Sequence, residues 1–410
     1  MLVGWNLYKG WYEADFKGLD MFLDRHHAEL PDKPLLITEY GAGNDPRLTS
    51  DFPERFDCTN EYAILYHQYY LSAIRKRPFV AGAFIWNLND FSSNQKIDAN
   101  PYLNNKGIHC FNRDPKETAW FYKANLQNQP FVKIFTPYGN LLSGIEDKVN
   151  NKISFKTLNI YSNLDSVTFF QNDILIGTNP VKNGYAAFTV PFIGGENFIK
   201  VTAFSPGKVS QTDQARINFS VIPNSLIHTG KSNFEIRISC GDNRSIYDTE
   251  IKKVWLPDQK YISGSWGYLG GKRYELETRR GLKPGSDQSI LNTKLDPLYQ
   301  TQRVDPIAYK FDAKPGRYEI TLCFAQLDGS SNYDALKTAS KNTVATSGSP
   351  VSFDVLINGS IVLLNFSPNQ NGVNTAINKK FVIDINEAIE IKFIPHIGKP
   401  IINGIVVEKI

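Results

Sequence analysis

The hydrophobic pattern changes its period along the chain, and each change predicts a different kind of element. From Asp15 to Leu30, Phe16, Leu19, Phe22, Leu23 and Leu30 recur at helical spacing. From Asn60 to Arg77, Tyr62, Leu65, Tyr66, Tyr69, Ala73 and Ile74 do the same. Between these helices lies Leu35-Leu36-Ile37, an apolar run without alternation. Such a run predicts a strand buried on both faces, as in parallel sheets covered by helices. It ends in Thr38-Glu39-Tyr40-Gly41, which puts Glu39 at the strand's carboxyl end. Phe79 to Trp86 predicts another buried strand. Asp114-Pro115-Lys116-Glu117 then predicts a helix start, with Asp114 as N-cap, Pro115 in the first helical position and Glu117 closing a capping box. The strand–helix alternation over residues 1–126 is that of a (β/α) barrel, whose chemistry sits on the rim of strand carboxyl ends. Eight strands close such a barrel, and the alternation here supplies only its C-terminal part. Glu39 is the candidate reactive group; a glutamate there also serves as an ordinary salt-bridge or loop residue.

After the polar hinge Gln127-Asn128-Gln129-Pro130 the period falls to two. Phe131–Pro137, Ile153–Tyr161, Val167–Gln171, Tyr185–Phe192, Asn197–Phe204 and Ile217–Ile222 read as short strands, with turn signals at Asn183-Gly184 and Gly194-Gly195. Residues 127–222 are therefore expected to form an immunoglobulin-like β-sandwich that acts as a brace, with no site of its own. A polar linker, Pro223 to Asn233, leads to a second all-β module at 234–410, expected to be a two-sheet jelly roll. Within it, Asp328 to Pro350 is rich in Ser, Asn, Thr and Ala and predicts a long flexible loop.

Composition narrows the function. The 410 residues are 41% hydrophobic and 21% charged, with a net charge of +4. These values fit a multidomain globular protein, and the absence of a long Lys/Arg run argues against a nucleic-acid partner. No apolar run reaches the length of a membrane span, and Met1-Leu2-Val3-Gly4-Trp5 lacks the features of a signal peptide. Cys58, Cys110, Cys240 and Cys323 are too widely spaced for a metal knuckle and are expected to be free thiols, so neither a metal nor another cofactor is expected. Aromatic residues make up 13% of the chain, a surplus that suits packing against the apolar faces of sugar rings.

Four stretches in one order carry a resemblance: Asn6-Leu7-Tyr8-Lys9-Gly10-Trp11-Tyr12, Ile37-Thr38-Glu39-Tyr40-Gly41, Phe84-Ile85-Trp86-Asn87-Leu88-Asn89-Asp90-Phe91 and Asn105-Lys106-Gly107-Ile108. Together they resemble the end of the catalytic barrel of glycoside hydrolase family 2, which contains β-galactosidases, β-glucuronidases and β-mannosidases. The resemblance implies a retaining exo-β-glycosidase with Glu39 as nucleophile and Tyr8 hydrogen-bonded to it. It further implies Asn6 and Tyr12 as sugar contacts and Trp86 lining the terminal-sugar subsite. Asn104 and Lys106 resemble the β-glucuronidase motif that holds a uronate carboxylate, although a solvated loop lysine explains Lys106 equally simply. Galactoside and glucuronide both remain open. A retaining mechanism needs a second carboxyl roughly 5–5.5 Å from the first. The family carries that acid/base on an earlier strand, so the chain is expected to be N-terminally truncated and inactive alone.

In the third module, Ile238-Ser239-Cys240-Gly241, Ser265-Trp266-Gly267-Tyr268, Leu298-Tyr299-Gln300-Thr301-Gln302-Arg303, Gly316-Arg317-Tyr318 and Phe353-Asp354-Val355 resemble malectin-like, carbohydrate-binding domains. That resemblance implies sugar stacking by Trp266, Tyr268 and Tyr299, each of which is equally well read as a packed loop anchor. The implied partner is an oligo- or polysaccharide in a periplasmic or extracellular setting. The alternative is a non-catalytic, carbohydrate-binding remnant of such an enzyme.

Overall fold

The computed structural model describes residues 2–13, 15–97, 101–136, 138–207, 209–227, 234–278, 280–327 and 350–410. Nearly all of the Asp328–Pro350 segment, and the end of the Pro223–Asn233 linker, lie outside the described residues.

Three parallel strands open the chain: β1 (Val3–Asn6), β2 (Leu35–Tyr40) and, after the short β3 (Leu48–Thr49), β4 (Val80–Ile85), in the order β1-β2-β4. Two helices cover one face, α1 (Lys17–Glu29) and α2 (Asn60–Arg75). Leu35 and Ile37 point into that layer and are fully buried with Leu19, Leu23, Tyr66 and Tyr70. The start of α2 follows local chemistry, since the Thr59 hydroxyl caps it by accepting from the Tyr62 amide at 3.2 Å. The other sheet face is open: Gly4, Asn6, Thr38 and Phe84 are all exposed there. The Leu35-Leu36-Ile37 run is thus covered on one side only among the described residues.

Beyond a hairpin formed by β5 (Phe91–Ile97) and β6 (Pro101–Asn104), α3 spans Glu117–Leu126. It starts three residues after the expected cap. Lys116 occupies the N-cap without a side-chain bond, and Asp114 is engaged with Asn112 instead. The Glu117 carboxylate is turned away from its own helix. It accepts from Asn159 Nδ2 at 2.9 Å and from the Tyr161 hydroxyl at 2.7 Å in the middle module. A buried inter-module partner outcompetes the capping box because leaving Tyr161 unpaired would cost more than an unfilled helix terminus, whose amides water can reach.

The middle module packs a five-stranded sheet on a three-stranded one around Phe169, Phe188, Val190, Phe192, Val201 and Phe219. Two of its strands, Leu141–Ile145 and Ile174–Pro180, were absent from the sequence expectation. The expected hinge is also stitched down: Asn163 Nδ2 donates to the Gln127 and Gln129 carbonyls, and its Oδ1 accepts from the Phe131 amide.

The third module packs a seven-stranded sheet against a five-stranded sheet. The last strand of the larger sheet is β3 of the first module, with Thr49 and Leu48 paired to Ser245 and Ile246. The apolar core around β2 continues through Ile246, Trp255, Leu295 and Leu298 of the third module. The barrel segment therefore does not stand as an isolated open sheet; its hydrophobic interior is shared. Apolar burial at this seam stabilises the segment by roughly 25 cal/mol per Å² of surface removed from water.

Candidate active site

Register places the key carboxylate. Asn6 on β1 lies opposite Glu39 on β2, past a bulge between Trp5 and Asn6, and the Leu7 amide donates to the Glu39 carbonyl at 2.8 Å. The chain then turns so that the Tyr8 hydroxyl donates to Glu39 Oε2 at 2.8 Å. Burial, followed by this bond, pushes the Tyr8 phenol well above its ordinary value, so it stays a donor. A hydrogen bond to a charged acceptor is worth about 1.5–3 kcal/mol. Tyr12 packs against Tyr8 with ring centroids 4.9 Å apart. Asn6 is on the open face, where its Oδ1 accepts from the Thr38 hydroxyl at 2.7 Å.

The Tyr8 turn is held from behind by α2. Tyr70 donates to the Leu7 and Lys9 carbonyls, and Tyr62 donates to the Gly10 carbonyl. Gly10 sits at φ 84°, and a Cβ there would lie 2.4 Å from the Phe16 ring, so glycine is required for the turn. Deeper, His67 Nδ1 meets the Tyr122 hydroxyl at 2.9 Å, and Tyr122 meets Tyr40, the residue after Glu39, also at 2.9 Å. Burial lowers the His67 pKa to about 3, so the imidazole is neutral.

The Asn104–Lys106 loop lies on the other side. Its backbone pairs with the segment after Trp86: the Asn87 amide donates to the Lys106 carbonyl and the Ile108 amide to the Asn87 carbonyl. Buried Lys116 pins it further, donating to the Asn105 carbonyl, the Asn44 carbonyl and Asp90. Lys106 is 2% exposed, and its ammonium lies 5.4 Å from the Tyr12 ring centroid and 6.0 Å from that of Trp11. A solvated loop lysine is excluded by that burial. Asn104 is buried too, with its Oδ1 accepting from the Lys106 amide at 3.4 Å. Trp86 follows β4; its amide donates to the Tyr40 carbonyl at 2.8 Å, and its ring is half-buried against Phe91. Glu39, Tyr8, Tyr12 and Lys106 are thus linked contact by contact, with Trp86 on the neighbouring strand end. A carboxylate fixed by a phenol beside a buried cation can act as a nucleophile or a base toward an anionic substrate.

Sugar stacking in the third module is corrected at two positions. Trp266 is fully buried, stacked near Phe311, with Nε1 donating to the Pro223 carbonyl. Tyr299 is 4% exposed and donates to Asn378 Oδ1 at 2.7 Å. Neither presents a free ring face. Tyr268 is half-buried, but the Arg303 guanidinium already covers its ring at 3.3 Å. What the sequence reading missed is Arg280 of the third module, whose guanidinium lies 3.8 Å from the Tyr12 centroid. No local motif marks it, because the contact depends on how the modules pack.

Two family models match the chain. Residues 2–131 match the family model for the TIM barrel domain of glycosyl hydrolases family 2, and residues 234–405 match the malectin domain. A β-glucuronidase of Bacteroides fragilis is 29% identical over 228 residues, covering 53% of this chain and 31% of that protein. The human β-glucuronidase is 37% identical over 93 residues, which are 22% of this chain and 14% of that one. A crystal structure of a Bacteroides uniformis β-glucuronidase superposes over 100% of this chain and 45% of its own, with a TM-score of 0.88 and 32% identity. A further structure from that organism, β-glucuronidase 2 covalently bound to cyclophellitol-6-carboxylate aziridine, has the same TM-score and 33% identity. The chain spans less than half the length of these proteins.

Proposed function

Because the chain joins a barrel segment of glycoside hydrolase family 2 to a malectin domain, we propose that it is the C-terminal portion of a retaining exo-β-glucuronidase. Glu39 attacks the anomeric carbon, the bond to the leaving oxygen breaks, and water later hydrolyses the glycosyl ester. Tyr8 holds Glu39 for attack. Trp86 lines the terminal-sugar subsite, and Asn6 and Tyr12 contact the sugar. The acid/base glutamate that protonates the leaving oxygen comes from barrel strands outside these 410 residues, so the chain alone is inactive. The open sheet face with Asn6, Thr38 and Phe84 supports such completion. The middle module is an immunoglobulin-like brace, and the third a malectin-like jelly roll. The setting is periplasmic or extracellular.

The observation that carries the choice of glucuronide over galactoside is Lys106. A buried ammonium beside Tyr12 suits a uronate carboxylate, since charge-assisted bonds are roughly twice as strong as neutral ones. The names of the relatives agree with that choice. The test is hydrolysis of 4-nitrophenyl β-D-glucuronide and β-D-galactoside by the full-length enzyme, with Glu39→Gln as control. Loss of turnover in Glu39→Gln and a collapsed glucuronide preference in Lys106→Ala are expected. Full activity in the first, or an unchanged ratio in the second, overturns the corresponding assignment. If the complete enzyme hydrolyses neither substrate, the carbohydrate-binding remnant is the better reading.

A further inference from the structure

The hairpin of Glu275–Thr278 and Gly281–Pro284 belongs to the third module, yet its tip reaches the barrel segment. The tip is fixed twice. Within the turn, the Thr278 hydroxyl donates to the Gly281 carbonyl at 2.8 Å and accepts from the Arg280 amide at 3.1 Å. Across the seam, Arg55 Nη2 donates to the Arg280 carbonyl at 2.8 Å. Gly281 has φ 103°, and a Cβ there would lie 2.8 Å from Arg55 Nη2, so the approach is as close as glycine permits. Further along, Arg273 pairs with Glu54 and Glu275, and Asn243 Nδ2 also donates to Glu54. This anchoring presents the Arg280 guanidinium to the Tyr12 ring at 3.8 Å.

Tyr12 therefore has two cationic neighbours, Lys106 from the barrel segment and Arg280 from the third module. Arg55 adds a third positive group to the same aromatic floor, 4.4 Å from the Phe56 ring, which packs against Trp11. Its Nη1 is buried with no hydrogen-bond partner. Gathering buried positive charge in one place costs folding stability through desolvation and repulsion, and it raises the local affinity for an anion. The planar Arg280 fork also matches carboxylate or sulfate geometry in a way that an ammonium does not.

Building on the glucuronidase reading proposed above, we infer that the third module is a wall of the active site: Arg280 binds an anionic group of the substrate beside Tyr12. Selection of an acidic glycan thus depends on residues from the first and third modules of this chain. The anion is either the carboxylate of the terminal uronate or a carboxylate or sulfate on the next sugar.

The experiment compares Arg280→Gln, Arg280→Lys and Lys106→Ala in the full-length enzyme. Four substrates are used: an aryl β-glucuronide, the corresponding aryl β-glucoside, and a glucuronide disaccharide with and without a sulfate on its second residue. Arg280→Gln is expected to lower the glucuronide-to-glucoside ratio of kcat/KM at least tenfold through KM, with Arg280→Lys recovering part of it. If the ratio holds for the aryl pair but falls for the sulfated disaccharide relative to its unsulfated form, the anion lies on the next sugar. Equal losses on all substrates, or no loss on any, overturn the inference and leave Arg280 a packing residue. Loss of preference in Lys106→Ala without any in Arg280→Gln sinks this inference alone. An unchanged ratio in Lys106→Ala removes Lys106 as a carboxylate contact, and an unmutated enzyme with no preference for the glucuronide sinks the glucuronidase reading itself.

Discussion

His67 makes the architecture behind Glu39 accountable to pH. Its ring is 1% exposed on α2, surrounded by Tyr40, Tyr66 and Tyr122, and it meets the Tyr122 hydroxyl at 2.9 Å. Burial lowers its pKa from 6.5 to about 3. Above pH 6.5 the imidazole is neutral both folded and unfolded, and it adds no pH dependence. As pH falls below 6.5 only the unfolded chain takes the proton, so folding loses stability down to about pH 3. At pH 4.5, two units below the unfolded value, the loss is about 3 kcal/mol. That is a sizeable part of the roughly 5–15 kcal/mol that holds a domain together. His67→Gln keeps a polar partner for Tyr122 but cannot ionise. At pH 8 it should cost about 1 kcal/mol, an ordinary hydrogen-bond change. By pH 4.5 it should be the more stable protein. The measurement is hydrogen exchange of the Asn60–Arg75 helix at the two pH values, corrected for intrinsic rates, together with an NMR titration of the His67 ring. A ring that titrates near 6.5, or a stability difference that stays constant with pH, refutes the buried-neutral assignment.

Tyr8→Phe in the full-length enzyme should lower kcat about 10- to 100-fold, since it removes a bond worth about 1.5–3 kcal/mol from the carboxylate; steady-state kinetics on an aryl glucuronide checks it. Arg244 pairs with buried Asp242 and donates through Nη1 to the Asp57 carbonyl across the module seam. Arg244→Met strands that carboxylate and should destabilise the protein by about 3–5 kcal/mol. Calorimetry should show the loss, partly recovered when Asp242→Leu is added.

Legibility from sequence followed how local each constraint is. Leu35-Leu36-Ile37 ending in Glu39 was readable because strand burial and the carboxyl-end rule need only neighbouring residues. The helices of Leu19 and Leu23, and of Tyr62 and Tyr66, were readable for the same reason. Glu117 reads as a cap in sequence, but its partners, Asn159 and Tyr161, arrive from another module. Sequence leaves Trp266 and Tyr299 open between sugar platform and packed anchor, because an aromatic residue beside a turn looks the same whether its ring faces solvent or core. Their burial is decided by the sheets that pack on them. The two-residue strand Leu48–Thr49, which ties the first module to the third, is too short to carry a period. Arg280 was invisible because nothing in its hairpin hints at Tyr12.

Covalent trapping addresses the central claim most directly. The full-length enzyme is treated with a 2-deoxy-2-fluoro-β-glucuronyl fluoride, digested and mapped by mass spectrometry. A fluoroglucuronyl adduct on the peptide containing Glu39, lost in Glu39→Gln, is the predicted result. An adduct on any other carboxylate, with Glu39 unmodified, would contradict the account.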